Sequence, residues 1–323
     1  MSMKKMNDSR ILIASGGTGG HIFPAIVFGR QLQEQGASVS WICGSRKLEQ
    51  DIYASSGIEP VILPLSGSPM GTKSPAKILT RIIDVFRAIK QTARYIRDFK
   101  PDEIYLFGGY ISFAPLIIAK LRHIPVTLHE QNTVAGRVAR IASKMGAKII
   151  TGWPVCEGIK SFTYTGIPVR EPVRIARREA LGILGVNIPE CARIVGVAGG
   201  SLGSGPLSEM LKSAAKLCPE CEFLFLSAKT RHDDGNSHFL PSMWDMNPFY
   251  SVCDVLVCRS GGSTLAEALK WGMPTITIPW PGAMDNHQAK NAAEFVKLAS
   301  NGRMFKEDGS SEELAGIIHE AAG

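Results

Sequence analysis

The sequence predicts an α/β protein made of two Rossmann-like domains. Along most of its 323 residues, short apolar runs rich in β-branched residues alternate with helical patterns. This alternation is typical of a parallel sheet covered by helices on both faces. A strand, a glycine-rich loop and a helix follow one another near residue 10 and again near residue 193. We therefore predict domains at residues 1–168 and 169–323, with the proline-containing segment TGIPVREPVR at 165–174 as linker.

In the first half, each predicted strand is a short apolar run, and each predicted helix has apolar residues spaced by three and four. The run at 10–14 meets glycines, and a helix is predicted after them at 23–34. Further strands are predicted at 38–44, 103–107, 124–130 and 147–152, and a long basic helix at 76–100.

The second half repeats the order of the first. RIVGVAGG at 193–200 predicts a strand that runs into glycines, and the periodic segment 206–217 predicts the helix after it. Strands are then predicted at 222–228, 254–262 and 275–279, with a helix at 263–272 that ends at a glycine.

Composition excludes several classes of protein. A hydrophobic content of 45% and a mean hydropathy of +0.05 indicate a globular chain rather than a disordered one. No apolar run reaches the roughly 18 residues that a membrane-spanning helix needs, and the basic start MSMKKMNDSR leads into a strand, so we expect no signal peptide. The seven cysteines are scattered, and Cys218 and Cys221 lack a second pair, so we expect reduced thiols and no metal site.

The net charge of +7 permits an anionic partner, such as a nucleotide, a nucleic acid or a membrane surface. No RNA-binding, helix-turn-helix or zinc-finger motif accompanies this charge, which argues against nucleic acid.

Glycine-rich loops follow four of the predicted strands, two in each half. They lie at 16–20, 108–109, 199–203 and 261–264. Because glycine lets the backbone approach a phosphate closely at a helix N-terminus, four such loops predict a phosphate-bearing ligand in a cleft between the domains. GxxxxGK[ST] is absent, and Ile22 stands where a dinucleotide fingerprint needs glycine, so a P-loop nucleotidase and a dehydrogenase are disfavoured.

Polar residues beside these loops are candidates for chemistry. His21 lies in the first helical turn, where the dipole favours a neutral imidazole that can act as a base, although a lone histidine is often only a packing residue. LHEQN at 128–132 follows a strand and is either functional or a polar loop. Glu267 suits ribose hydroxyls or the helix dipole, and DNHQAKNA at 285–292 suits sugar hydroxyls or helix capping.

Seven motifs occur in order: GGTGGHIFPA, GGYISFAP, LHEQNTVAG, TGIPVR, GGSLGS, CRSGGSTLAEA and DNHQAKNA. Over residues 10–310 the sequence thereby resembles the MurG family of peptidoglycan N-acetylglucosaminyltransferases. The resemblance implies a GT-B fold, with a cleft between the two Rossmann-like domains. It also implies inverting transfer of N-acetylglucosamine from UDP-N-acetylglucosamine to the C4 hydroxyl of the muramyl sugar of lipid I. The implied products are lipid II and UDP, and the implied roles are cell-wall biogenesis, cell shape and division. The resemblance further implies a peripheral protein at the cytoplasmic face of the cell membrane.

The resemblance also assigns site residues, with His21 as the catalytic base. Glu267 falls on the ribose-binding carboxylate, Gln288 on the residue that reads the donor sugar, and Met243 on a uracil contact. The implied donor-binding residues are Thr18, Gly19, Gly20, Asn132, Arg170, Ser201, Met243, Gly262, Ser263, Thr264, Leu265, Ala266, Glu267 and Gln288. The implied acceptor-binding residues are Gly16, Gly17, Gly109, Tyr110, His129 and Glu130.

The helix predicted at 76–100 carries seven Lys or Arg residues against two Asp. Its apolar residues either pack on the sheet or face an anionic bilayer. The resemblance favours docking by a basic-rimmed apolar patch, and the residues assigned to it are Leu79, Ile83, Phe86, Ile89, Arg87 and Lys90. Lys120 replaces an aromatic residue of the family's patch.

Helix dipoles and backbone N–H groups can stabilise the departing UDP, so we expect no obligatory cofactor, with stimulation by a divalent cation left open. The expected partners are UDP-N-acetylglucosamine, lipid I, an anionic lipid surface and other cell-wall synthesis proteins. Two alternatives remain. One is another GT-B enzyme, such as a different lipid glycosyltransferase or a UDP-N-acetylglucosamine 2-epimerase. The other is a non-catalytic UDP-sugar-binding protein.

Overall fold

A computed structural model describes residues 8–68, 74–199, 205–228 and 230–322. Contacts between Cα atoms divide the chain into two compact units, Met1–Pro168 and Val169–Gly323. The division lies within the segment 165–174 that the prolines mark in the sequence. None of the helices within the described ranges is both long enough and apolar enough to cross a membrane.

The first unit is a parallel sheet with helices packed against it. Its strands are β1 (Arg10–Ala14), β2 (Ser38–Cys43), β3 (Val61–Ile62), β4 (Glu103–Leu106), β5 (Val126–Glu130), β6 (Lys148–Thr151) and β7 (Thr163–Tyr164). Its helices are α1 (Gly19–Glu34), α2 (Lys47–Ser55), α3 (Pro75–Phe99), α4 (Phe113–Leu121) and α5 (Arg137–Lys144). The strand order is β3-β2-β1-β4-β5-β6-β7, and every pair is parallel.

The second unit repeats this design with one antiparallel edge. Its strands are β8 (Arg193–Ala198), β9 (Cys221–Ala228), β10 (His232–Asp234), β11 (Ser237–Pro241), β12 (Val255–Cys258), β13 (Thr275–Thr277) and β14 (Gly302–Met304). Its helices are α6 (Arg177–Leu184), α7 (Gly205–Lys216), α8 (Asn247–Val252), α9 (Gly262–Trp271), α10 (His287–Leu298) and α11 (Ser311–Ala322). The order is β10-β11-β9-β8-β12-β13-β14, and only β10 runs antiparallel to its neighbour.

The cores explain why these runs form strands. All five residues of β5 and all four of β12 are buried, as expected for parallel strands covered on both faces. In the first unit, Leu12 and Ile104 from the sheet join Ala88 of α3 and Leu116 of α4 in one apolar cluster. The two-domain α/β prediction and the predicted strands are confirmed.

Two predicted boundaries are wrong. The strand predicted at 254–262 ends at Cys258, and α9 begins at Gly262. Helix α1 begins at Gly19, four residues before the predicted start, and Pro24 lies inside it. The φ angle of proline is compatible with a helix, so it fits here. Because proline has no N–H, it cannot donate the helical hydrogen bond to the Gly20 carbonyl. As a result His21 lies in the first turn of α1.

Each sheet reverses its strand order at one point, and ligands of such sheets bind there. In the first unit this point lies between β1 and β4, whose following loops contain Gly16 and Gly17, and Gly108 and Gly109. In the second unit it lies between β8 and β12, and the loop after β12 is Arg259–Ser260–Gly261. The topology therefore positions the glycine-rich loops after β1, β4 and β12, whereas the predicted loop at 199–203 lies outside the described residues except for Gly199.

Candidate active site

A buried carboxylate shapes the first glycine loop. Glu49, at the start of α2, is fully buried and accepts hydrogen bonds from the N–H groups of Gly17 (3.0 Å) and Gly44 (2.7 Å). It also accepts a short hydrogen bond from the hydroxyl of Tyr110. Glu49 thereby joins the loops that follow β1, β2 and β4. The N–H of Gly17 is directed to this carboxylate, so it is not presented to a ligand phosphate.

The second glycine loop packs directly on the first. Gly109 has a φ of +72°, and a Cβ atom there would lie 2.8 Å from the carbonyl oxygen of Gly16. Both the left-handed backbone and this close approach require glycine. Tyr110 follows at once. Burial, with the hydrogen bond to Glu49, raises its pKa well above the usual value, so the hydroxyl keeps its proton.

The ring of His21 is oriented by the backbone. Its Nδ1 lies 3.2 Å from the carbonyl oxygen of Gly16, which can only accept a hydrogen bond. Nδ1 therefore donates, and Nε2 is the basic nitrogen of the neutral ring. A Cβ atom on Gly108 would lie 3.5 Å from Nε2, so this nitrogen faces the second glycine loop. The structure thus places the imidazole between the two glycine loops, and its role as a base stays a prediction.

The LHEQN segment has a supporting role that differs from the prediction. His129 is buried, its Nε2 donates to the carbonyl oxygen of Gly166 (2.9 Å), and its Nδ1 accepts from Gln131 (3.2 Å). Burial lowers the pKa of His129 to about 4, so the ring stays neutral. Glu130 is buried and accepts from the N–H groups of Asn132 (3.0 Å) and Gly136 (2.9 Å). Burial raises its pKa, and these hydrogen bonds oppose the rise.

His129 and Glu130 therefore position the loop that carries Gln131 and Asn132. Their polar atoms are engaged within the unit, so the geometry does not offer the direct acceptor contact that the sequence predicted for them. The side-chain oxygen of Gln131 is buried and has no hydrogen-bond partner among the described residues. It lies 3.7 Å from the same Gly108 Cβ position that His21 borders.

In the second unit, the loop before α9 is fixed from two sides. Asn291 of α10 is buried and donates to the carbonyl oxygen of Ser260 (3.0 Å), whose hydroxyl contacts that of Thr277 (2.7 Å). Arg259 donates to the carbonyl oxygen of Ile278 (3.2 Å) and forms an ion pair with Glu307. The N-terminus of α9 is thereby held in place as a ready anion-binding element.

The predicted donor residues of α9 differ in exposure. Gly262 and Leu265 are buried, whereas Ser263, Thr264, Ala266 and Glu267 are partly exposed. For Leu265 only the backbone is therefore available to a ligand.

Glu267 lies one turn into α9. Its Oε2 accepts a hydrogen bond from Tyr250 (2.9 Å), and no hydrogen bond to its Oε1 is found within the described ranges. Burial raises the pKa of Glu267, while the Tyr250 hydroxyl and the Arg170 guanidinium lower it. The carboxylate is therefore oriented by Tyr250, with one oxygen left to accept from a ligand hydroxyl.

Two further predicted donor residues of the second unit are held by hydrogen bonds, and a third lies outside the described ranges. Arg170 donates to the carbonyl oxygen of Trp244 (2.5 Å), the residue after Met243. Gln288, in the first turn of α10, accepts from the N–H of Trp280 (2.9 Å). Ser201 lies outside the described residues.

Comparisons with known proteins agree with this arrangement. Residues 11–151 match the glycosyltransferase family 28 N-terminal domain, and residues 194–322 match the family's C-terminal domain. This chain belongs to glycosyltransferase family 28. Its fold is accordingly of the GT-B class, with two Rossmann-like halves, and the chain is a hexosyltransferase.

Curated relatives of this family 28 enzyme share one name, UDP-N-acetylglucosamine–N-acetylmuramyl-(pentapeptide) pyrophosphoryl-undecaprenol N-acetylglucosamine transferase. The one from Pseudomonas fluorescens Pf-5 is 32% identical over 97% of this chain and 89% of its own length. The one from Pseudomonas putida F1 is 31% identical over 96% and 88%.

Solved structures of glycosyltransferases have the same fold. The crystal structure of Acinetobacter baumannii MurG has a TM-score of 0.69 at 25% identity, covering 98% of this chain and 91% of that one. The spinosyn rhamnosyltransferase SpnG has a TM-score of 0.67 at 15% identity, covering 97% and 91%, which shows likeness of fold alone.

The helix assigned to a lipid surface has two different halves. Ala88, Thr92 and Ile96 of α3 are buried against the sheet. Toward its start, Leu79 (61%), Ile83 (42%) and Phe86 (68%) are exposed, and so is Ile82, which the sequence reasoning missed. The second half of α3 therefore packs in the core, whereas the first half leaves apolar side chains exposed, and docking on a bilayer stays a prediction.

Three residues flank the exposed half of α3. Ile89 is partly buried and packs against the core, so it contributes less exposed surface than the other three apolar residues assigned to the patch. Arg87 pairs with Asp84 (3.3 Å), and Lys90 is exposed.

Sequence reasoning missed Glu49 and Tyr250 as parts of the site, and it singled out Gln131 and Asn291 only as members of LHEQN and DNHQAKNA, without the roles that the structure gives them. Glu49 lies 32 residues from Gly17 in the chain, in a stretch with no recognisable motif. Asn291 stands inside DNHQAKNA, but only the fold reveals that it supports the loop before α9.

We expect Glu49→Gln to reduce kcat at least tenfold with little change in the donor KM. The amide has one accepting oxygen and one NH2 group, so one buried N–H loses its acceptor, at about 1–3 kcal/mol. Steady-state kinetics and urea unfolding measure the two effects. Tyr110→Phe removes one of the three donors to Glu49. Its kcat is expected to lie between those of wild type and Glu49→Gln. An unchanged kcat in Glu49→Gln would show that this carboxylate does not hold the His21 loop.

Proposed function

We propose that this family 28 enzyme transfers N-acetylglucosamine from UDP-N-acetylglucosamine to the C4 hydroxyl of the muramyl sugar of lipid I, forming lipid II and UDP. The observation that carries the proposal is the 32% identity, over nearly the whole of both chains, to a relative named for this transfer. The geometry of His21 and Glu267 supports it, because each has one atom oriented for the role that the reaction requires.

In the proposed reaction, Nε2 of His21 accepts the proton of the C4 hydroxyl as its oxygen attacks the anomeric carbon of the donor sugar. The new C–O bond forms as the bond from that carbon to the diphosphate oxygen breaks, and the anomeric configuration inverts. The electron pair leaves with UDP. The N-terminus of α9 stabilises this developing charge, and Glu267 holds the ribose through Oε1.

The proposal includes no obligatory metal ion, since the dipole of α9 supplies positive charge where the diphosphate departs. The experiment is transfer of radiolabelled N-acetylglucosamine from the UDP-sugar to a lipid I analogue. We expect a labelled product with a β linkage, formed in the presence of EDTA as well as in its absence. Release of a free sugar epimer would support a 2-epimerase instead, and an unchanged UDP-sugar after long incubation would support a non-catalytic binding protein.

We further propose that the enzyme works as a peripheral protein at the cytoplasmic face of the membrane, docked through the exposed start of α3. The acceptor is a lipid, and Leu79, Ile82, Ile83 and Phe86 present apolar side chains beside Lys90. Other cell-wall synthesis proteins are further candidate partners at this surface.

We expect the enzyme to sediment with anionic vesicles at low salt and to be released as ionic strength rises, because screening weakens the attraction of basic residues to lipid phosphates. Phe86→Asp combined with Arg87→Glu is expected to abolish sedimentation and leave UDP binding intact.

The matched control is Ile183→Asp with Arg178→Glu, which makes the same charge change at exposed positions of α6. If the α3 variant and this control bind vesicles equally, α3 is not the docking surface.

A further inference from the structure

Two arginines of the first unit border Gly67, which lies in the loop that precedes α3. Arg46 immediately precedes α2, and Arg81 lies in the second turn of α3. A Cβ atom on Gly67 would lie 3.1 Å from Nη2 of Arg81 and 3.5 Å from Nη2 of Arg46. Two guanidinium groups therefore border a single spot on this loop.

Backbone carbonyl groups hold both arginines in place. Arg46 donates from Nε to the carbonyl oxygen of Ser66 (2.7 Å), and Arg81 donates from Nη1 to that of Ser68 (2.7 Å). Arg46 also lies over the ring of Tyr110, 5.2 Å from its centroid, and its Nη1 is 3.4 Å from the carbonyl oxygen of Gly17. These contacts orient the two guanidinium groups but leave their charge uncompensated.

No carboxylate of the described residues forms an ion pair with either arginine. Glu49, the buried acid nearby, is engaged by Gly17, Gly44 and Tyr110. Asp84, one turn beyond Arg81, pairs with Arg87 (3.3 Å). Holding two like charges together costs Coulomb energy unless an anion lies between them. Guanidinium groups match phosphate oxygens in pairs of parallel hydrogen bonds, so this arrangement suits a phosphate or diphosphate.

We propose that Arg46 and Arg81 bind the diphosphate of the lipid-linked acceptor. Arg46 contacts Gly17 in the loop whose Gly16 carbonyl orients His21, and Arg81 lies between the exposed Leu79 and Ile83 of α3. An acceptor diphosphate connects the reacting sugar to the lipid chain, so it would lie between these two regions. Since the Gly17 N–H is bound to Glu49, arginine side chains rather than this amide supply the anion contact. The inference rests on the proposed acceptor.

The test compares Arg46→Gln and Arg81→Gln with wild type on a water-soluble lipid I analogue with a short prenyl chain. We expect the acceptor KM to rise about tenfold or more in each variant, with kcat and the donor KM unchanged, because each loses charged contacts to the diphosphate. Arg46→Lys keeps the charge but loses the fork geometry, so an intermediate KM is expected. The matched control is Arg97→Gln, an exposed arginine of α3 that pairs with Asp98.

A second measurement does not depend on turnover. Calorimetric titration with geranyl diphosphate should show binding to wild type that both variants lose. Geraniol, which lacks the diphosphate, should bind to both variants as it does to wild type. If wild type binds geranyl diphosphate but transfers no sugar, the proposed function fails and the arginine site stands.

Two results would overturn the arginine site. One is an acceptor KM and a geranyl diphosphate affinity equal to wild type in both variants. The other is loss of sedimentation with anionic vesicles while the acceptor KM is retained, which would assign these arginines to bilayer phosphates. Circular dichroism melts of the variants that match wild type exclude misfolding as the cause of any change in acceptor KM, affinity or sedimentation.

Discussion

His21→Ala is expected to lower kcat by about 10²-fold or more, the range for loss of a positioned general base. The Gly16 carbonyl holds the Nδ1 side of the ring, so Nε2 is the nitrogen able to take the acceptor proton. UDP affinity should be nearly unchanged, because Glu267 and the N-terminus of α9, which are proposed to bind UDP, lie in the second unit. Single-turnover transfer and calorimetric titration with UDP measure the two quantities.

A control for His21 is His319→Ala, which removes an exposed histidine of α11 that pairs with Glu220. This variant should retain wild-type turnover. Wild-type turnover in His21→Ala itself would remove this residue from the mechanism and leave proton transfer to solvent or substrate.

Glu267→Ala is expected to weaken donor transition-state binding by about 1.5–3 kcal/mol, the range for hydrogen bonds to a charged group. The structure refines the prediction made from the sequence, because Oε2 already accepts from Tyr250 and Oε1 is the oxygen left for the ribose. Glu267→Gln should lose less, since its side-chain amide keeps the shape. The measured quantity is kcat/KM for UDP-N-acetylglucosamine.

The 2′-deoxy donor makes this test specific. Wild type should discriminate against it, whereas Glu267→Ala should lose little further activity when the hydroxyl is removed. Fully additive losses would place the ribose away from Glu267.

Much of the site was predictable because local sequence encodes local structure. The apolar run Arg10–Ala14 followed by glycines predicts a strand that meets a helix N-terminus, and His21 then lies in the first turn of that helix. The same logic places Glu267 one turn into α9. What failed was the start of α1, which was predicted at residue 23 and lies at Gly19.

The sequence by itself determined the fold class, the positions of the glycine loops and the family, since each depends on residues that are neighbours in the chain. Only the tertiary structure decided which side chains support those loops. Glu49 meets Gly17 and Tyr110, and Asn291 meets Ser260. These partners are separated by 31 to 61 residues along the chain. They meet because parallel strands bring all their carboxyl-end loops to one edge of the sheet, and spacing in the sequence carries no record of which side chains will meet there.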